Sequence, residues 1–297
     1  MRTAIITADD FGAAPEVNEA IERAHADGCL TAASLMVAGD AMGDAVMRAK
    51  RLPDLGVGLH LVLVEGTPAL PAEQVPDLVG PDGRFRTDMA GMGVDIFFRP
   101  RVRRQLRAEI EAQFARFSDT GLRLDHVNAH KHFHLHPTIA ATMLEVGRRH
   151  GLKASRAPTE PARVIDAVEP TPRAAVTRVA DVWARRLRNR FRRAGIAMAD
   201  NVFGLAWSGA MTSSRVAALI AQLPEGTSEI YFHPGTRDDF PGHAPGYRYA
   251  DEFAALTAPE VLDALRGNDV RLARLRSEEH TSELQSHLNL VCRLLLE

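Results

Sequence analysis

The stretch "TAIITADDFGAAPEVNEAIERAHADGCLTAASLMV", Thr3 to Val37, decides the fold class. Thr3 to Thr7 is a short apolar run that reads as a buried strand. Pro15 to Asp27 then carries Val17, Ala20, Ile21 and Ala24 at helical spacing, with Gly28 as its stop. Ala33 to Val37 returns to an apolar strand. Apolar strands separated by helices predict a parallel sheet buried on both faces.

The same alternation continues along the chain. A helix is expected from about Asp40 to Arg51, and further strands over Leu55–Leu63, Leu122–His130, Leu152–Arg156, Val202–Trp207 and Ser228–Pro234. About seven parallel strands with intervening helices predict an α/β fold closed as a β/α barrel rather than an open sheet. Three stretches break the rhythm. Val64 to Pro100, rich in Gly and Pro, reads as a long active-site loop or a surface insertion. Pro158 to Pro172 and Arg237 to Tyr249 read as irregular connections.

The final segment, "RSEEHTSELQSHLNLVCRLLLE" from Arg276 to Glu297, resembles the conceptual translation of a common sequencing adapter over its whole length. The expected organisation is one domain over 1–275, followed by an artefactual tail over 276–297, with the natural C-terminus missing. Periodicity alone would read that tail as an amphipathic helix.

Setting the tail aside takes two basic and four acidic side chains from totals of 36 and 38, leaving 34 of each. That balance offers no bulk field for nucleic acid. It also removes Cys292, so Cys29 stands alone, which suits a reducing compartment. The opening apolar run is too short for a secretory signal and ends in two carboxylates, and no 18-residue apolar run exists. A cytoplasmic location is expected.

Chemistry-bearing residues gather where strands should end. Asp9 and Asp10 follow the first strand, His60 closes the third, and His233 closes the last. "NAHKHFHLHP", Asn128 to Pro137, places His130, His132, His134 and His136 at every second position after the fourth. On an extended chain those imidazoles share one face; on a helix His130 pairs with His134. Neutral imidazole is the commonest protein ligand for transition metals, so a metal site is one reading and a solvated polar loop the other. Asp9 and Asp10 serve one site only if the chain turns between them, for which Gly12 is placed; the alternative is helix capping. His60 alone reads as a core histidine, but convergence on one rim favours a site.

Together "ADDFG", "VGLHLVL", "HVNAHKHFH" and "IYFHPG" resemble the YdjC-like carbohydrate deacetylases, from residue 1 to roughly 270. The resemblance implies a distorted (β/α) barrel shared with the polysaccharide deacetylases. It implies metal ligands Asp10, His60 and His130, with Asp9 as base and His233 as acid. Asn128 and Lys131 stand where other members of the family carry Asp and His. "ASLMV" and "GLHLVLVEG" look nearest the hopanoid-biosynthesis branch, which implies an N-acetylglucosaminyl hopanoid as substrate.

The residue chemistry agrees with these roles. A divalent ion polarises an amide carbonyl and acidifies water, and three protein ligands leave positions open for both. A carboxylate can take the water's proton and a histidine can return one to the leaving amine. His132, His134 and Arg156 are candidates for orienting ligands or holding the sugar. Ligand softness suits Zn, Mn, Fe or Co, whereas the resemblance suggests Mg; the expectation is a divalent cation, Mg first and Zn second.

Two other functions fit the sequence less well. A metal-dependent phosphoesterase would ask for more carboxylates, and a non-catalytic sugar-binding relative would not need the full rim. "RRLRNRFRR", Arg185 to Arg193, offers no interleaved aromatic platform for nucleic acid; it lies within the longer stretch Trp183 to Gly195. Trp183, Leu187, Phe191 and Ala194 form a stripe with a basic back, read either as a core-facing helix or as a peripheral membrane contact. The sequence leaves the oligomeric state open, with a dimer among the options.

Overall fold

The computed structural model describes residues 1–170 and 175–276, without the side chains of 175–180. Residues 277–297, and so all of the adapter-like segment but Arg276, lie outside the described residues. The chain runs β1 (Arg2–Phe11), α1 (Pro15–Ala26), β2 (Ala32–Leu35), α2 (Met42–Arg51), β3 (Gly56–Leu61), α3 (Met89–Phe98) and α4 (Pro100–Asp119). It continues through β4 (Val127–Ala129), α5 (Pro137–Arg149), α6 (Ala162–Val168), α7 (Ala175–Arg193) and β5 (Asn201–Phe203). It ends with α8 (Ser213–Ala221), β6 (Gly226–Phe232), α9 (Tyr249–Thr257), α10 (Pro259–Gly267) and β7 (Val270–Leu272).

The strands form one seven-stranded parallel sheet in the order β4-β3-β2-β1-β6-β5, with β7 beside the start of β1. Between β4 and β5 the chain from Lys153 to Thr159 spans the gap. Val127 N donates to Ala154 O at 3.1 Å, Ser155 N to Ala197 O at 3.0 Å, and Val202 N to Thr159 O at 3.0 Å. The result is the expected α/β barrel, distorted on this side.

Strand β1 shows why the rim is fixed. With a side-chain period of two, Ile5 joins a small inner cluster with Ala32, Ala154 and Leu275, while Ala4, Ile6 and Ala8 pack outward under the helices. Each fully buried Ile or Phe contributes about 1.5–3 kcal/mol, so a register slip that exchanged the two faces would be costly. In α1, Val17, Ala20, Ile21 and Ala24 are buried as predicted, and Asn18 is buried with them. Asn18 accepts from Gly12 N at 2.8 Å and donates to Ala41 O at 3.0 Å, pinning the turn after β1. Gly28 is needed for space: a Cβ there would lie 2.2 Å from Leu256 O.

Where the predicted strands differ, local chemistry explains it. The Leu152–Arg156 run contributes only single bridges, Val127 to Ser155 and Ala154 to Ala197, before Pro158 and Pro161 remove ladder donors. The Val202–Trp207 run stops at Phe203, because Gly204 takes φ 119° and the amides of Gly204, Leu205 and Ala206 turn onto the Glu160 carboxylate. The Leu122–His130 run narrows to Val127–Ala129. β7 carries no strand signal in the sequence, because its residues are largely exposed and form no apolar run.

The Val64–Pro100 stretch holds a short 3-10 turn, a Val79–Phe85 bridge and α3. A row of buried polar side chains on α4 holds it and the preceding Val62: Gln105 accepts from Asp77 N, Glu109 from Ala69 N and Leu70 N, and Gln113 from Val62 N. In α7, Leu187 and Phe191 are 3% and 0% exposed, so this part of the stripe faces the core, while Trp183 and Ala194 are half-buried and Val182 is exposed beside the arginines.

Candidate metal centre

The ends of β1, β3, β4 and β6 bring Asp9, Asp10, His60, His130 and His233 to one rim. The turn that makes neighbouring carboxylates usable lies at Asp10 itself, which takes φ 63°, with a register shift against β2 between Ala8 and Phe11. A left-handed non-glycine residue costs about 1 kcal/mol or more, and such outliers gather at functional sites. Gly12 follows with φ 92°. Neither carboxylate caps α1, whose N-cap is Ala14 without a side-chain bond.

Asp10 Oδ1 lies 3.3 Å from His60 Nε2 and 3.3 Å from His130 Nδ1. One ligand atom from each of the three residues falls within 4.8 Å of the others. Asp10 Oδ1 and His60 Nε2 are buried without a hydrogen-bond partner. Burying such atoms unpaired costs about 1–3 kcal/mol each, and a cation at the point they share removes that cost. One carboxylate and two imidazoles, aimed inward, fit a divalent ion.

The electrostatics follow from the crowding. Burial pushes the Asp10 carboxyl up, but contact with His130 and His60 outweighs it and holds the group well below its ordinary range. Burial pushes His60 down, and the charges of Asp9 and Asp10 reverse that into a net rise.

Asp9 sits behind this triad. Its Oδ2 accepts from Arg156 Nη1 at 2.5 Å, and its Oδ1 accepts from Arg156 Nη2 and Asn128 Nδ2, each at 3.0 Å. Arg156, fully buried, also donates Nε to Glu229 Oε1 at 3.0 Å and lies 4.4 Å from the Tyr231 ring centroid. Although burial raises the Asp9 pKa, Arg156 and then His60 lower it far below the usual carboxylate range. Asp9 is therefore ionised at neutral pH.

The histidine run is not an extended strand: it is a short 3-10 segment, His130–Leu135, kinked near its start. Lys131 and His132 take φ 52° and 53°, so the side chains fan out instead of sharing a face. His130 meets Asp10. His132 Nε2 lies 3.1 Å from Tyr231 Oη, and burial holds its pKa well below the ordinary value. His134 Nε2 lies 2.9 Å from Arg156 O, and burial pushes its pKa to about 4. His136 Nδ1 accepts from Thr138 N at the start of α5. Lys131 pairs with Glu65 from the long loop.

His134 and Arg156 are 0% exposed, and His132 is partly buried. His233 has its backbone N on Glu252 Oε2, its Nδ1 4.0 Å from the same oxygen, and its ring against Tyr231 and Tyr247.

Several participants were not read from sequence. Glu229 and Ser34 had a usable signal, being polar side chains inside the apolar strands "SEIYF" and "ASLMV". Glu252, Tyr231 and His126 had none beyond their residue type.

Comparison with known proteins gives a consistent picture. The profile of the YdjC-like protein family matches residues 3–267. A human carbohydrate deacetylase is 31% identical over 91% of this chain and 89% of its own. One from Thermoanaerobacter pseudethanolicus is 25% identical over 92% of this chain and 97% of its own. One from Brevibacillus brevis is 40% identical, but the match spans 49% of this chain and 56% of that protein. Among solved structures, an Enterococcus faecalis protein provisionally assigned to cellobiose-phosphate cleavage superposes with a TM-score of 0.72 at 24% identity, covering 92% of this chain and 97% of that one. That likeness speaks to the fold alone.

Proposed function

The chain belongs to the YdjC-like protein family, and from that membership we propose that it hydrolyses the acetamide of an N-acetylated sugar, using a divalent cation held by Asp10, His60 and His130. The observation that carries this reading is the convergence of three ligand atoms within 4.8 Å, two of them buried and otherwise unpaired. When bound, the cation supplies Lewis acidity to the carbonyl and to water. Mg is proposed first and Zn second.

The chain's own groups supply the proton transfers. Asp9, kept ionised by Arg156, takes a proton from the attacking water. His233 gives one to the departing amine nitrogen, and water and amide become acetate and amine. The test is acetate release from an N-acetylglucosamine glycoside with added cation. Phosphate release from a phosphomonoester instead would point to a phosphoesterase, and neither product to a binding protein.

The raised pKa of His60 sets a direction for pH. A proton on Nε2 beside Asp10 occupies the cation's place and must leave before a cation binds. Lowering the pH through and below that raised value is expected to weaken cation affinity by about tenfold per unit. Calorimetric titration over about pH 6–8 checks this; unchanged affinity and no proton release across that range would contradict the ligand role of His60.

The substrate reading extends to an N-acetylglucosaminyl hopanoid, a glycolipid presented at a bilayer. Among the described residues no helix is long and apolar enough to cross a membrane, so contact would be peripheral. The segment 183–195 contributes through its arginines: Arg186, Arg190 and Arg193 line a groove of about 550 Å³ with Arg148 on α5. Co-sedimentation with anionic vesicles at low salt is expected, with release as ionic strength rises, each arginine being worth about 1 kcal/mol. Changing Arg148, Arg186 and Arg193 to Glu is expected to abolish it without affecting turnover of a short soluble substrate. Undiminished sedimentation of that variant would refute this surface.

The single-domain reading of 1–275 belongs to the same proposal. Leu275 is 2% exposed in the inner cluster and Arg276 donates to Leu124 O at 2.9 Å. Truncation after Arg276 is expected to leave the melting temperature unchanged; a clear drop would show that the tail packs on the barrel.

A further inference from the structure

We infer that Asn128 is a positioning residue that sets which nitrogen of His60 faces the cation, through a hydrogen-bond chain whose direction is dictated at both ends by carboxylates. This inference rests on the metal-site reading above.

The chain threads the barrel interior. His126 Nδ1 lies 2.9 Å from Asp125 Oδ2, and His126 Nε2 lies 3.0 Å from Ser34 Oγ. Asn128 Nδ2 lies 3.0 Å from Ser34 Oγ and 3.0 Å from Asp9 Oδ1, while Asn128 Oδ1 lies 2.6 Å from His60 Nδ1. Ser34, His126 and Asn128 are each 0% exposed, so water does not substitute for a missing partner.

Donor and acceptor roles can now be worked out link by link. Both Asp9 oxygens take hydrogens from the Arg156 guanidinium, so Asp9 stands as an acceptor, the amide nitrogen of Asn128 faces it and the amide oxygen faces His60. His60 Nδ1 must then carry a hydrogen, which leaves Nε2 as the atom that can bind a cation. The second amide hydrogen goes to Ser34, whose own hydroxyl hydrogen turns to His126 Nε2. His126 accordingly donates Nδ1–H to Asp125. Every hydrogen of the Asn128 amide and the acceptor it offers His60 are used, and no aspartate, serine or leucine offers two donors and one acceptor in that space.

A ligand held this way is oriented before the cation arrives, and loss of such a partner typically costs about 10- to 100-fold in affinity. The experiment uses the full chain with histidine-selective ¹⁵N labelling, saturated with zinc as a diamagnetic probe. The expected spectrum shows His60 bound through Nε2 with a protected Nδ1–H, and His126 neutral with its hydrogen on Nδ1. Ser34→Ala is expected to shift the His126 Nε2 resonance as its donor is lost.

Asn128→Leu is expected to leave the His60 Nδ1–H without an acceptor, shifting its resonance, and to weaken zinc binding about 10- to 100-fold. Asn128→Asp keeps an acceptor for His60 and is expected to restore the hydrogen-bonded Nδ1–H signal. Coordination of wild-type His60 through Nδ1, or unaltered zinc affinity in a folded Asn128→Leu protein, would overturn the inference while leaving the metal site intact. Absence of any coordinated histidine in the wild-type spectrum would overturn the metal site and, with it, this inference.

Discussion

Asp9→Asn is expected to slow deacetylation by about 10²- to 10⁴-fold while cation affinity stays within a few fold, because the substitution removes a base and leaves all three ligands in place. The geometry makes this separation testable. Asp9 shares no cation-facing atom with Asp10; its oxygens are occupied by Arg156 and Asn128. A carboxamide at this position still accepts from Asn128, but it turns a donor or a neutral oxygen toward a buried guanidinium. Thermal unfolding must therefore be measured alongside turnover, so that lost activity is read on folded protein. Near wild-type turnover in Asp9→Asn would show that another group takes the proton.

Arg156→Leu is expected to destabilise the fold by about 3–5 kcal/mol, the cost of breaking a buried ion pair from one side. The guanidinium is the shared partner of Asp9 and Glu229, at 2.5 Å and 2.9 Å, and both carboxylates are almost without solvent contact. Without it two anions face each other across the barrel interior. Arg156→Lys retains the charge but not the fork that reaches both carboxylates, so a smaller loss is expected. Denaturant unfolding gives both values; a loss below about 1 kcal/mol for Arg156→Leu would mean that water enters and solvates the pair.

The parallel sheet and the rim were legible in the sequence for the same reason: a strand buried on both faces must be apolar until it emerges, so Asp9, His60 and His233 stand out where β1, β3 and β6 end. The alternating histidines misled in detail. Their spacing suggests a common face, but left-handed turns at Lys131 and His132 send the rings in separate directions, and no residue type in "HKHFH" announces such turns. Glycine would have been the visible signal, as at Gly12. The run Leu152–Arg156 was legible as extended chain, but not that it would pair only through the single bridges of Ala154 and Ser155. The Asn128 chain was visible only as an unusual residue, because its partners Ser34 and Asp9 lie 94 and 119 positions away.

The central claim is that Asp10, His60 and His130 hold a cation required for amide hydrolysis, and chelation with add-back tests it most directly. Acetate release from an N-acetylglucosamine glycoside should fall at least about 10³-fold when the protein is stripped of metal, and return on addition of Mg or Zn. His60→Ala should stay inactive at every cation concentration. Acetate release that persists through chelation, or that survives in His60→Ala, would contradict the account.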